Sequence, residues 1–185
     1  VGMGVPANNI NTRRKNLLLR DLDELVNQQL AKMLFANPQR IDYYDRYQEI
    51  IDAYNAEQNR ATIEKTFMDL MELASSLDTE QQRYVREGFS SDEELSVYDL
   101  LFSENLTKQE IETIKKVSVD LLTKIKQQIA KLDHWTDKQE TKAIVDNLIR
   151  NTLWQELPNS YDVSDIQTYQ KKIYEYVYMR YPEVA

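Results

Sequence analysis

The chain has no cysteine, one histidine and only three glycines and four prolines in 185 residues. Between Ala7 and Tyr181 the helix breakers reduce to Gly88, Pro38 and Pro158. Each scarcity excludes something. Without cysteine there is no disulfide framework and no thiolate chemistry. Without glycine clusters there is no phosphate-cradling loop and no nucleophile elbow. With His134 alone, and no Glu-x-x-His pair, neither a histidine-rich zinc site nor a ferritin-like di-iron site is expected. No apolar run approaches the roughly 20 residues of a membrane span. Residues 1–6 lack the basic start of a signal peptide, and cytoplasm is the expected location.

What remains is rich in helix formers at helical spacing, so an all-α fold is expected. Apolar residues make up 42% and charged residues 29%, which suits a globular domain with a real core. The net charge of −8 is unevenly spread. Residues 1–20 carry Arg13, Arg14, Lys15 and Arg20 and no acid, so the remainder is more acidic than the whole. An acidic body argues against sequence-independent DNA binding, which runs on phosphate neutralisation. The four basic residues are candidates for contact with DNA or an acidic neighbour. Their plain reading is a solvated helix start, although arginines there oppose the helix dipole.

Residues 1–12, with Gly2, Gly4, Pro6 and three asparagines, read as an extended arm closing a preceding region. Residues 13–185 read as a single irregular bundle of about eight helices. The first, over 13–35, presents Leu18, Leu22, Leu25, Val26, Leu30, Met33 and Leu34. Asn37-Pro38 stops it and caps the next. Later starts are marked by Thr79 with Gln82, Ser91 with Glu94, Thr107 with Glu110, Thr136 with Gln139 and Ser164 with Gln167, all with capping-box spacing. Acid clusters at Asp21, Asp23, Glu24 and at Asp92, Glu93, Glu94 read as solvated surface, the second set favourably meeting a helix start. Trp135, beside His134, is expected to pack inward.

Five of the twelve tyrosines fall in the last 17 residues. On the final helix Ile166, Tyr169, Ile173 and Val177 share the core side. Tyr174, Tyr178 and Tyr181 share a flank, which a further helix covers or a partner uses as an anchor cluster.

Several ordered segments carry a resemblance. Asn37-Pro38-Gln39-Arg40-Ile41-Asp42-Tyr43-Tyr44 is followed by Tyr47-Gln48-Glu49-Ile50-Ile51 and Tyr54-Asn55. Then come Phe67-Met68-Asp69-Leu70-Met71, Glu93-Glu94-Leu95-Ser96-Val97-Tyr98-Asp99-Leu100-Leu101, Asp133-His134-Trp135, and Leu157-Pro158 with Tyr161. Together, over roughly residues 13–181, they resemble the C-terminal helical region of the R (restriction and motor) subunit of type I restriction enzymes. The resemblance implies a parent chain with nuclease and helicase domains that use ATP and Mg²⁺. It implies methyltransferase (M) and specificity (S) subunits as partners, and DNA through the complex. None of the parent's catalytic motifs lies in this chain, so no catalytic, cofactor or metal residue carries over. The expected role is non-catalytic assembly, docking the motor on the methyltransferase core. The alternative is a DNA-contacting module using the basic first helix.

Overall fold

A computed structural model describes residues 7–183, with side chains from Arg14 onward. Among the described residues it is all-α, as the scarcity of helix breakers requires: α1 (Ala7–Ala36), α2 (Ile41–Ala56), α3 (Arg60–Gln81), α4 (Arg83–Arg86), α5 (Asp92–Leu101), α6 (Lys108–Ile129), α7 (Gln139–Glu156) and α8 (Val163–Arg180). Of the arm expected over 1–12, residues 1–6 lie outside the described residues. Residues 7–12 are already helical, because asparagine in a helix costs only a fraction of a kcal/mol and a long helix propagates through it. The sequence reading places 13–185 in one domain. In the structure the helices gather into two compact units that divide between Arg83 and Tyr84.

In the first unit α3 packs along both α1 and α2. Leu19, Val26, Leu30 and Met33 of α1 meet Leu70, Leu73 and Leu77 of α3, and Tyr47 of α2 closes the core. The buried stripe of α1 is narrower than its apolar pattern. Leu18 and Leu25, expected inside, are 52% and 65% exposed, while Leu19 takes the core place. At about 100° per residue, Leu18 is turned off the line that Leu19 and Val26 hold. Asn37 caps as expected, its side chain accepting from Gln39 N ahead of Pro38. Just beyond it a buried ion pair ties the unit together. Arg40 Nε lies 3.1 Å from Glu80 Oε1, and Arg83 Nε lies 3.0 Å from the same oxygen. The Tyr43 hydroxyl donates to Glu80 Oε2 at 3.4 Å. Burial and this carboxylate hold the Tyr43 hydroxyl above its ordinary pKa.

The second unit begins at Tyr84, within α4, and Gly88 ends that helix with a φ of +85°. Phe89 N donates back to Tyr84 O and Gly88 N to Val85 O, a helix stop that needs the left-handed backbone glycine allows. α5 packs on α6, α6 on α7 and α7 on α8, and α8 returns to α5. Their core runs from Phe89 and Leu95 through Ile114, Leu121, Ile125, Val145, Ile149 and Leu153 to Ile173 and Val177. Tyr161 in the α7–α8 link donates its hydroxyl to Leu101 O at 2.5 Å, pinning the end of α5.

Three expected helix starts are displaced. Thr79 lies inside α3, its hydroxyl bonded to Ser75 O, because the core contacts of α3 continue through Leu77. α7 starts at Gln139 behind Lys138, not Thr136. α8 starts behind Asp162, which forms a full capping box with Asp165 two residues upstream of the expected Ser164. Thr107 with Glu110 is a full capping box as read, and Ser91 caps α5.

Candidate functional site

The flank of α8 is built on Trp135. The indole is fully buried, in the link between α6 and α7, and its Nε1–H donates to the carbonyl of Tyr181 at 2.7 Å. The turn that delivers it is tight: His134 has a φ of 45°, unusual for a non-glycine residue. The Thr141 hydroxyl, in the first turn of α7, donates to Trp135 O at 2.7 Å and holds the link down. His134 stays outside, with Nδ1 3.0 Å from Glu183 Oε1 and Nε2 3.5 Å from Asp133 Oδ1.

Against this indole stand two of the three tyrosines. Tyr174 and Tyr178 meet it edge-on, with ring centroids 6.1 and 5.8 Å away. Such T-shaped contacts suit the aromatic quadrupoles and fix the rings. Burial, with Asp146 nearby, raises the Tyr174 hydroxyl above its ordinary pKa. Tyr178 is 38% exposed, Lys142 Nζ sits 5.9 Å above its ring, and its neighbour Met179 is largely exposed. Tyr181 parts from the pair. It is buried beside Tyr176, and burial is the main reason its hydroxyl is pushed well above the ordinary value. Lys126 lies over its ring and pairs with Glu93. So the flank is lined by an indole from a loop and by α7, whose Lys142 lies over the Tyr178 ring and whose Asp146 lies near Tyr174. Tyr174 and Tyr178 form a fixed half-exposed platform, and Tyr181 belongs to the core.

The basic start of α1 makes no comparable cluster. Arg14 and Arg20 are exposed, and the side chain of Arg13 lies outside the described residues. Lys15 Nζ is 2.8 Å from Glu64 Oε1, and this pairing draws the Glu64 carboxyl below its ordinary pKa. The acid clusters are partly structural. Asp23 accepts from the Tyr47 hydroxyl at 2.7 Å, and Glu94 accepts from Ser90 N at 2.8 Å. Among the described residues no group of three or more His, Asp or Glu is placed to hold a metal, and no helix is long and apolar enough to cross a membrane.

Over residues 7–181 the sequence matches the family described as type I restriction enzyme HindI endonuclease subunit-like, C-terminal, and the chain belongs to that family. No curated protein and no solved structure matches the chain.

Proposed function

We propose that this chain is a non-catalytic assembly module of a type I restriction endonuclease subunit. It docks the ATP-driven translocase and nuclease of the parent chain onto the methyltransferase and specificity subunits. The observation that carries this reading is the Trp135–Tyr174–Tyr178 platform. Interface hot spots favour large aromatics whose rotamers are already fixed, because little side-chain entropy is then lost on binding. ATP and Mg²⁺, expected of the parent enzyme, belong in this reading to its other domains.

The test compares Tyr178→Ala and Tyr174→Ala with the unmodified chain, for thermal stability and for pull-down of the methyltransferase core. Lost pull-down with Tyr178→Ala at an unchanged melting temperature supports docking through α8. Full retention by both variants removes α8 from the interface. The DNA-contacting alternative has less behind it, since Lys15 is paired with Glu64 and the chain as a whole carries a net charge of −8. A gel shift at two salt concentrations separates the two readings. DNA binding weakens steeply with salt, whereas docking requires the partner subunits.

A further inference from the structure

The first unit holds a cleft of about 270 Å³ lined by α1, α2 and α3. Its floor is apolar. Leu19 of α1 and Leu70 of α3 are buried there, and Ile51 and Tyr54 of α2, half-buried against the same core, form a wall. The space would hold about nine waters at ~30 Å³ each. It falls just short of the ~300–1,000 Å³ of a drug-sized site, so it suits a smaller molecule.

The mouth of the cleft is polar. Asn16, Arg20 and Asp23 share one face of α1 over about 10 Å, and Asn55 adds a carboxamide from the end of α2. Arg20 and Asp23 stand one turn apart with opposite charge, yet no ion pair joins them. The Asp23 carboxylate is engaged elsewhere: the buried Tyr47 donates its hydroxyl to Oδ1 at 2.7 Å and fixes the group in place. The Arg20 guanidinium has no ionic or hydrogen-bonding partner among the described residues, and neither have the carboxamides of Asn16 and Asn55. The cleft therefore offers a separate cation and anion above an apolar floor, with two amide groups beside them.

We propose that this cleft binds a free α-amino acid with an apolar side chain. The planar fork of Arg20 matches a carboxylate, and the amide N–H groups of Asn16 and Asn55 are further donors for it. The oxygen of Asp23 that Tyr47 leaves open accepts from the ammonium. The side chain of the ligand lies on Leu19 and Leu70. A simple anion would leave Asp23 unanswered and a simple cation would leave Arg20 unanswered, whereas a zwitterion meets both. Because the charged groups sit at an open, solvated mouth, each contributes modestly and millimolar affinity is expected. The cleft lies in the first unit and does not depend on the docking role given to α8.

The test is an NMR titration of the whole chain, read on the methyl signals of Leu19 and Ile51. The probes are L-leucine and L-phenylalanine, with 4-methylpentanoate, which lacks the ammonium, and isopentylamine, which lacks the carboxylate. Saturable shifts are expected with the amino acids, and at least tenfold weaker binding of the other two. Arg20→Gln should weaken L-leucine at least tenfold and leave the melting curve unchanged, since this side chain is exposed. Asp23→Asn keeps an acceptor for Tyr47 but loses the charge, so it should bring L-leucine down to the level of 4-methylpentanoate. No saturable shift with either amino acid up to about 20 mM, well into the millimolar range, overturns the proposal. So does 4-methylpentanoate or isopentylamine binding as tightly as L-leucine, and so does an affinity indifferent to Arg20→Gln.

Discussion

Leu25 and Leu30 lie five residues apart on α1 and should answer differently to a charge. Leu30 is 1% exposed and touches the α3 leucines, so Leu30→Asp should cost about 3 kcal/mol or more, the penalty of an unpaired buried carboxylate. Leu25→Asp at an outward position should stay within about 0.5 kcal/mol. Chemical denaturation of the two variants reads the difference directly. Glu80 presents the opposite case. It is buried between Arg40 and Arg83, and Glu80→Ala leaves the Arg40 guanidinium, 3% exposed, without its carboxylate. Removing one member of a buried pair costs about 3–5 kcal/mol, so this variant should lose stability comparable to a core truncation. An effect under about 1 kcal/mol would show that water replaces the carboxylate without penalty.

At the scale of the element, the helix starts give a graded test. Thr107→Ala and Asp162→Ala each remove a capping side chain and should cost about 1 kcal/mol. Ser164→Ala and Thr79→Ala remove residues that only look like caps and should cost a few tenths at most. Thermal melts of the four variants should fall into these two pairs. The contrast also shows what a sequence can reveal. Asn37-Pro38, Ser91 and Thr107 are legible because the cap and the donor it satisfies lie within three residues of each other. Thr79 misleads because tertiary packing outweighs a local signal, and Ser164 because a competing cap lies just upstream. α3 continues past Thr79 through its packing on the core, and Asp162 reaches the orphan donors first. The candidate site divides in the same way. That Tyr174 and Tyr178 share a flank follows from helical geometry. That Tyr181 turns inward does not, because it depends on an indole 46 residues away. The exposure of Leu18 and Leu25 on α1 is equally hidden. Periodicity reveals an apolar face but not how much of it a neighbour covers.

For the whole molecule, two cores imply two sets of expectations. Residues 84–185 hold a contiguous core from Phe89 to Tyr181, and expressed alone they should keep a cooperative melt. A non-cooperative helical collapse would show that this core is incomplete without residues 1–83. The protein by itself should neither hydrolyse ATP nor cleave DNA, since it lacks a phosphate loop and a metal-binding acid motif. Turnover by a preparation free of the parent motor would overturn that. Alkali should act on both units. Tyr43, Tyr47, Tyr161, Tyr174, Tyr176 and Tyr181 all have hydroxyls raised above the ordinary value of 10.0, chiefly by burial. The unfolded chain therefore ionises first. The stability these groups contribute is whole below pH 10 and is lost as pH rises beyond it. Denaturation midpoints measured one pH unit either side of 10 should show the drop.

The placement of the two tryptophans has an optical consequence. Trp135 is fully buried among tyrosines and Trp154 is 48% exposed, and both lie beyond Arg83. Their emission should split into a blue component shielded from iodide and a red one open to quenching. Because residues 1–83 contain no indole, a fluorescence unfolding curve excited at the red edge follows the second unit alone. Loss of the first unit would pass unseen in such a trace and would register only as a fall in far-ultraviolet ellipticity.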